Sequence, residues 1–293
     1  QIVLARLLLP EEYGLIALIS IFITLAEVFV QGGLNTALIQ KKDADNKDFS
    51  TVFFTSLVLS VVLYLLLYIF APSISDFYKN VELAPIMRIL GLNLIIGSVN
   101  SIQNAYVSRN MKFKLNFTSS VISAIVSGII GIVLAYKGYG VWALVSQQLS
   151  NQLVIAFVLW MTLGWRPELV FDKKILNSLF SFGSKVLASS LIARLTEQAY
   201  GLIIGRIYSS RIIGYYNRGH QFPHLIVNNI NGTINSVLLP ALSSEQGNLN
   251  SLKKITRRSI STSTFLVFPA MAGLAAMAEP LVILLLTDKW LLS

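Results

Sequence analysis

An all-α, polytopic transmembrane helix bundle is the fold class this sequence predicts, on three observations. Of its 293 residues 54% are hydrophobic and only 13% charged, with a mean hydropathy of +0.67; a soluble domain carries roughly a quarter charged residues. The apolar residues form long runs, and about 20 such residues cross roughly 30 Å of hydrocarbon. Lysine and arginine collect in alternate loops, as they do in chains threaded through a membrane.

Taken in order, the apolar runs fall at 13–39, 51–71, 86–107, 117–136, 141–164, 179–205, 214–240 and 260–280. The links between them are short, so neighbouring helices are expected to run antiparallel. Ahead of the first run stands QIVLARLLL, and after the last PLVILLLTDKWLLS. With no initiator Met and no signal peptide, the chain is expected to be a fragment, with the front of a first helix and later helices missing. The predicted division is a first bundle at 1–164, a linker at 165–178 and the start of a second, incomplete bundle at 179–293. There is no cysteine, so disulfides and thiolate metal sites do not enter.

The net charge is +9, and its placement says more than its sum. Basic residues gather at 41–48 (Lys41, Lys42, Lys47), 109–116 (Arg109, Lys112, Lys114), 165–178 (Arg166, Lys173, Lys174) and 245–258 (Lys253, Lys254, Arg257, Arg258). These loops are predicted to face the cytoplasm. The intervening loops hold Lys79 and Lys137, with Arg206 and Arg211 as the main exception. The basic balance is therefore a topology signal and gives no support to nucleic-acid binding.

An internal repeat shows at an offset of 200 positions. It pairs Arg6 with Arg206, Gly14 with Gly214, Phe22 with Phe222, Gly32 with Gly232, Asn35 with Asn235 and Leu38 with Leu238. Shared Gly and Asn weigh more than shared Leu or Phe between two apolar helices. FAPSI (70–74) also resembles MAEPLV (277–282). An even number of helices lies between the copies, so two parallel halves of about six helices each are expected, a construction common among transporters.

Polar residues recur at helical spacing inside the apolar runs. Asn217, Gln221, His224, Asn228, Asn231 and Asn235 mark one helix face, and Ser20, Thr24, Glu27, Gln31 and Asn35 mark the matching face of the repeat partner. Arg194, Glu197, Gln198, Gly201 and Gly205 form a third stripe, and Asn93, Gly97, Asn100 and Asn104 a fourth. Lipid cannot satisfy these groups, so each stripe faces other helices or a wet cavity. Interhelical bonding, at roughly 0.6–2 kcal/mol per group, explains a single stripe; four stripes favour a shared cavity. Ser120, Ala124, Ser127 and Gly131 read instead as a close-packing face without substrate contact.

Charges within the spans admit two readings. Arg88, Lys185, Arg194 and Arg218 either reach out to the interface or form a cationic site for a phosphate-bearing ligand, for which Arg is well suited. Arg194 and Glu197 are also spaced to pair with each other. Glu27, Glu197 and His224 are the candidate ion-coupling groups, with hydrogen-bonded structural roles as the alternative; His220 is read in the same way. No metal-spaced His/Cys cluster, Gly-rich phosphate loop or nucleophile elbow occurs, so neither catalysis, a cofactor nor a metal is predicted.

The runs LARLLLPEEYGLIAL and GGLNTALIQKKD closely resemble the start of bacterial polysaccharide biosynthesis proteins. These are Wzx-like oligosaccharide flippases of the multidrug/oligosaccharidyl-lipid/polysaccharide (MOP) exporter superfamily, which also holds the MATE transporters. FAPSISDFYKN, YVSRNMKFK, GYGVWALV, WRPELVF, IIGYYNRGHQFP and LLPALSSEQG follow in the family's order. The resemblance covers essentially the whole chain and looks nearest to exporters for capsule, colanic acid or lipopolysaccharide O-units. It implies a bacterial inner-membrane protein of two six-helix bundles that open alternately to cytoplasm and periplasm. Its cargo would be an undecaprenyl-pyrophosphate-linked oligosaccharide, moved with ion coupling. Membrane lipids, a polysaccharide polymerase and glycosyltransferases are the other implied partners. A multidrug or cation antiporter of the same superfamily is the alternative; a glycan polymerase or ligase is disfavoured because every loop is short.

Overall fold

The computed structural model describes residues 2–31, 33–41, 44–244 and 249–293. Among them every regular element is helical: α1 (Ile2–Leu7), α2 (Pro10–Gln31), α3 (Leu34–Gln40), α4 (Asn46–Phe77), α5 (Leu83–Leu90), α6 (Leu92–Arg109), α7 (Phe113–Tyr136), α8 (Val141–Thr162), α9 (Lys173–Ile207), α10 (Ser210–Ser244), α11 (Leu249–Ala276) and α12 (Ala278–Leu285), closed by a 3₁₀ turn at Asp288–Trp290. The chain divides into two compact units, Val3–Ile213 and Gly214–Ser293.

Among the described residues six spans are long and apolar enough to cross a membrane: Pro10–Ile39, Asn46–Phe77, Leu83–Arg109, Phe113–Tyr136, Val141–Thr162 and Asn250–Ala276. Helix α9 makes a seventh if its two segments, bent by 50° between Phe180 and Gly183, count as one. The protein is a multi-pass membrane protein. The apolar run at 214–240 is not among the spans that length and composition alone pick out. It does form a helix, α10, but its Asn, Gln and His residues leave it too polar to qualify by composition.

At the starts of α4 and α9 an aspartate side chain satisfies a free backbone group. Asp45 caps α4: its carboxylate accepts from the Asp48 amide at 3.0 Å, and Asp48 accepts from the Asp45 amide at 3.0 Å. Asp48, 1% exposed, also pairs with Lys41 at 2.6 Å. Replacing Asp45 by Ala is expected to cost about 1 kcal/mol, measurable as a lower denaturation midpoint in detergent. Asp172 caps α9 through the Lys174 amide at 2.7 Å, which shortens the expected 165–178 linker. The 245–258 loop is shortened more: Lys253, Lys254, Arg257 and Arg258 lie on α11. Lys42 and residues 245–248 fall outside the described residues.

Two apolar cores hold the first unit together. One centres on Leu15 and Ile19 of α2, Met87 and Leu90 of α5 and Leu144 of α8. The other gathers Leu38, Phe49, Val52, Ile102 and Leu159 around Trp165. Trp165 anchors the segment between α8 and α9: it stacks on Tyr106 at 5.7 Å, and its indole N–H donates to Asn46. The Glu168 amide adds a bond to the Ser50 hydroxyl at 2.9 Å. Arg109 donates to the Lys41 carbonyl and so closes the end of α3.

The outer faces of α4 and α7 expose Leu65, Ile69, Phe70, Ile125 and Ile129. In water such a surface would be an aggregation hazard; in a bilayer it is the lipid-facing side. At 32 residues, α4 is about 48 Å long and projects beyond the hydrocarbon.

Glycines set the closest approaches. Gly33, at the start of α3, meets Gly183 at the bend of α9 backbone to backbone. A Cβ on Gly33 would overlap the Gly183 carbonyl oxygen and lie 2.7 Å from its carbon. Gly201 and Gly205 let α9 lie against Ile21 and Leu18 of α2. These two glycines serve helix packing and do not present a polar face.

The 200-residue offset reappears in the helices, since α2 begins at Pro10 and α10 at Ser210. The copies then diverge: α2 ends at Gln31 before the break at Gly33, whereas α10 continues to Ser244. Gly32, one member of a repeat pair, lies outside the described residues.

Candidate functional site

Four helices of the first unit line an open polar cavity of about 310 Å³. Helix α2 contributes Ser20, Thr24 and Glu27, α6 contributes Asn93, α7 contributes Ser127, and α8 contributes Gln147, Gln148, Asn151 and Gln152. Each projects because its helix turns one polar stripe inward; the opposite side of α7 is apolar and exposed.

The wall is cross-linked by hydrogen bonds. The Asn151 amide nitrogen donates to the hydroxyls of Ser123 at 3.2 Å and Ser127 at 3.3 Å, tying α8 to α7. Asn100 donates to the Gln152 side-chain oxygen at 2.8 Å and to its carbonyl at 3.0 Å, tying α6 to α8. Gly97 faces α2: a Cβ there would sit in ordinary contact, 3.6 Å from the Gln31 amide nitrogen and 3.8 Å from a Glu27 oxygen.

Several acceptors remain. The side-chain oxygens of Asn93, Asn100, Gln103 and Asn35 are buried and have no hydrogen-bond partner among the described residues. An unsatisfied buried polar atom costs about 1–3 kcal/mol, so a run of them along α6 calls for a donor. Asn93 and Glu27 belong to the same cavity wall. Such a site accepts hydrogen bonds from water or sugar hydroxyls and attracts a cation. Among the described residues no Lys or Arg lines it.

The other candidate residues lie elsewhere. Arg194 and Glu197 pair at 2.7 Å on an exposed face of α9, the alternative that their spacing allowed. Arg88 lies over the Tyr68 ring at 4.5 Å and donates to the Tyr68 carbonyl; Lys185 is exposed on α9. In the second unit Arg218 is buried, bonds Gln221 at 2.6 Å and sits 5.6 Å from the Trp290 ring. His220 stacks on Tyr216, and His224 lies tilted against His220 at 5.3 Å, on an exposed face of α10. Asn231 accepts from Ser263 at 2.7 Å, Asn217 and Asn228 are exposed, and the side chain of Asn235 lies outside the described residues.

The α8 stripe is the part that sequence reading missed. Its signal was QQLSNQ (147–152), four amides within six residues of an apolar run. The small-residue face of α7 also needs correction. The buried positions are Ser119, Ser123, Ser127 and Gly131, so Ser120 and Ala124 point outward and Ser127 reaches the cavity. Exchange of Asn151 for Leu is expected to remove two interhelical bonds and lower stability by about 1–2 kcal/mol, read as a shift in detergent melting temperature.

The fold is that of a lipid-faced helical bundle with a polar recess between four of its helices. A solved multidrug resistance MATE family transporter of the MOP superfamily, in an inward-facing conformation, has the same fold. Its TM-score is 0.72 at 17% identity, over 97% of this chain and 70% of that one. Residues 3–293 match the family described as "Polysaccharide biosynthesis protein", and the chain belongs to that family. It is 25% identical over 288 residues to the succinoglycan biosynthesis transport protein ExoT of Rhizobium meliloti (strain 1021), covering 98% of this chain and 58% of that protein. It is 26% identical to the teichuronic acid biosynthesis protein TuaB of Bacillus subtilis (strain 168), covering 91% and 56%. To the lipopolysaccharide biosynthesis protein WzxC of Escherichia coli (strain K12) it is 24% identical, covering 98% and 59%. The chain thus spans less than two thirds of the length of these curated relatives.

Proposed function

We propose that this chain is part of a transporter, not an enzyme, that moves undecaprenyl-pyrophosphate-linked oligosaccharides across the bacterial inner membrane for surface glycan assembly. Transfer would run from the cytoplasmic to the periplasmic leaflet, with the basic loops on the cytoplasmic side. The observation that carries the reading is the amide-lined cavity inside a membrane-spanning unit of this family. A sugar head group cannot cross hydrocarbon while each of its unsatisfied polar groups costs several kcal/mol. A wall of Asn and Gln oxygens and amides replaces the water that its hydroxyls lose.

Glu27 is assigned to ion coupling, because it is the ionisable residue on that wall. Arg218 is assigned to the phosphates by virtue of guanidinium geometry; Arg194 joins it where a phosphate displaces Glu197 from its ion pair. Alternating access follows if sugar and ion bind two conformations with different affinities. Deletion of the gene tests the reading: lipid-linked repeat units should accumulate on the cytoplasmic face, with surface glycan lost. The acidic cavity gives a second reading, a cation or drug antiporter. Drug resistance lost with surface glycan intact would establish it in place of the first.

A further inference from the structure

We propose that a groove between α2, α4 and α9 holds an anionic phospholipid, with its phosphate on Arg206. The groove has a volume of about 530 Å³ and is walled by Phe22, Ile74, Phe77, Leu202, Ile203 and Ile207. It lies at the ends of α4 and α9 remote from their basic starts, at Asn46 beside Lys47 and at Lys173. Arg206 and Arg211 are the basic pair that departs from the alternation of charge along the chain, and the structure separates their roles. Arg211 faces Glu11 at 3.4 Å. Arg206 lines the groove, exposed, its guanidinium 4.5 Å from the centre of the Phe77 ring, and no carboxylate pairs with it among the described residues.

An apolar trough ending in an uncompensated guanidinium complements an acyl chain ending in a phosphodiester. Arg binds phosphate oxygens in pairs, and a ring beneath the cation leaves its edge free for them. One available guanidinium matches the single charge of a phosphodiester; a diphosphate would call for a second cation, and Arg211 is engaged with Glu11. Bulk phospholipid also outcompetes scarce polyprenyl lipid for such a site by mass action. The inference is independent of the cargo proposed above.

The test uses the full-length protein in nanodiscs of phosphatidylcholine with increasing phosphatidylglycerol, with retained lipid counted by native mass spectrometry. Wild type should retain phosphatidylglycerol about tenfold over phosphatidylcholine, the scale of one charged hydrogen bond. Arg206→Gln should erase that preference, whereas Arg211→Gln should keep it. Ile203→Trp should fill the trough and lower retention of both lipids. An undiminished preference in Arg206→Gln, equal retention of the two lipids by wild type, or displacement of phosphatidylglycerol by equimolar polyprenyl diphosphate would each overturn the proposal.

Discussion

Replacing Glu27 with Gln is expected to reduce surface glycan about tenfold or more while the protein stays folded and in the membrane. The change keeps the shape of the side chain and removes only its charge. Glu27 shares its wall with Asn93, whose buried oxygen has no partner, and with the amides of α8. A carboxylate in that company binds a cation far better than an amide does, since a hydrogen bond or contact to a charged group contributes about 1.5–3 kcal/mol, and 1.4 kcal/mol is a factor of ten. Glu27→Asp should retain part of the activity, because it keeps the charge and shortens the reach. The check is quantitative glycan staining of complemented deletion strains, with membrane protein measured alongside. Normal glycan in Glu27→Gln would remove this residue from the coupling role.

The second large effect is structural. Gly33→Ala is expected to cost about 2 kcal/mol or more, because its new methyl group overlaps a backbone carbonyl that cannot rotate aside. Gly183→Ala is the internal comparison: its Cβ would lie 3.1 Å from the Gly33 carbonyl carbon and 3.2 Å from its oxygen, a contact that a small shift relieves. The order of melting temperatures should therefore be wild type, Gly183→Ala, then Gly33→Ala. A Gly33→Ala protein as stable as wild type would show that α3 and α9 do not meet at this point.

These two cases show what the sequence made legible. Apolar runs located the spans because hydrocarbon imposes a length and a composition, and the structure extends α4 to 46–77 through the Asp45 cap, a local signal present in the residues themselves. The stripe through Glu27 was legible because polar residues on a membrane helix need a partner. What it faced was not: the α8 amides become its neighbours only through packing. A one-residue error on α7 moved Ser120 and Ala124 to the lipid side, since adjacent positions on a helix differ by about 100° and small residues occur on several faces. The roles of Arg194 and Arg206 depended on side-chain reach: one finds Glu197 a turn away, the other a ring and a groove.

The most direct measurement for the central claim is transfer itself. Full-length protein in proteoliposomes, loaded with a fluorescent undecaprenyl-pyrophosphate oligosaccharide on one leaflet, should expose that lipid on the other leaflet when an ion gradient is applied. Glu27→Gln should transfer it about tenfold more slowly at the same protein density, on the charged-contact scale used above. Transfer at the rate of protein-free vesicles, with cationic drugs transported instead, would contradict the account.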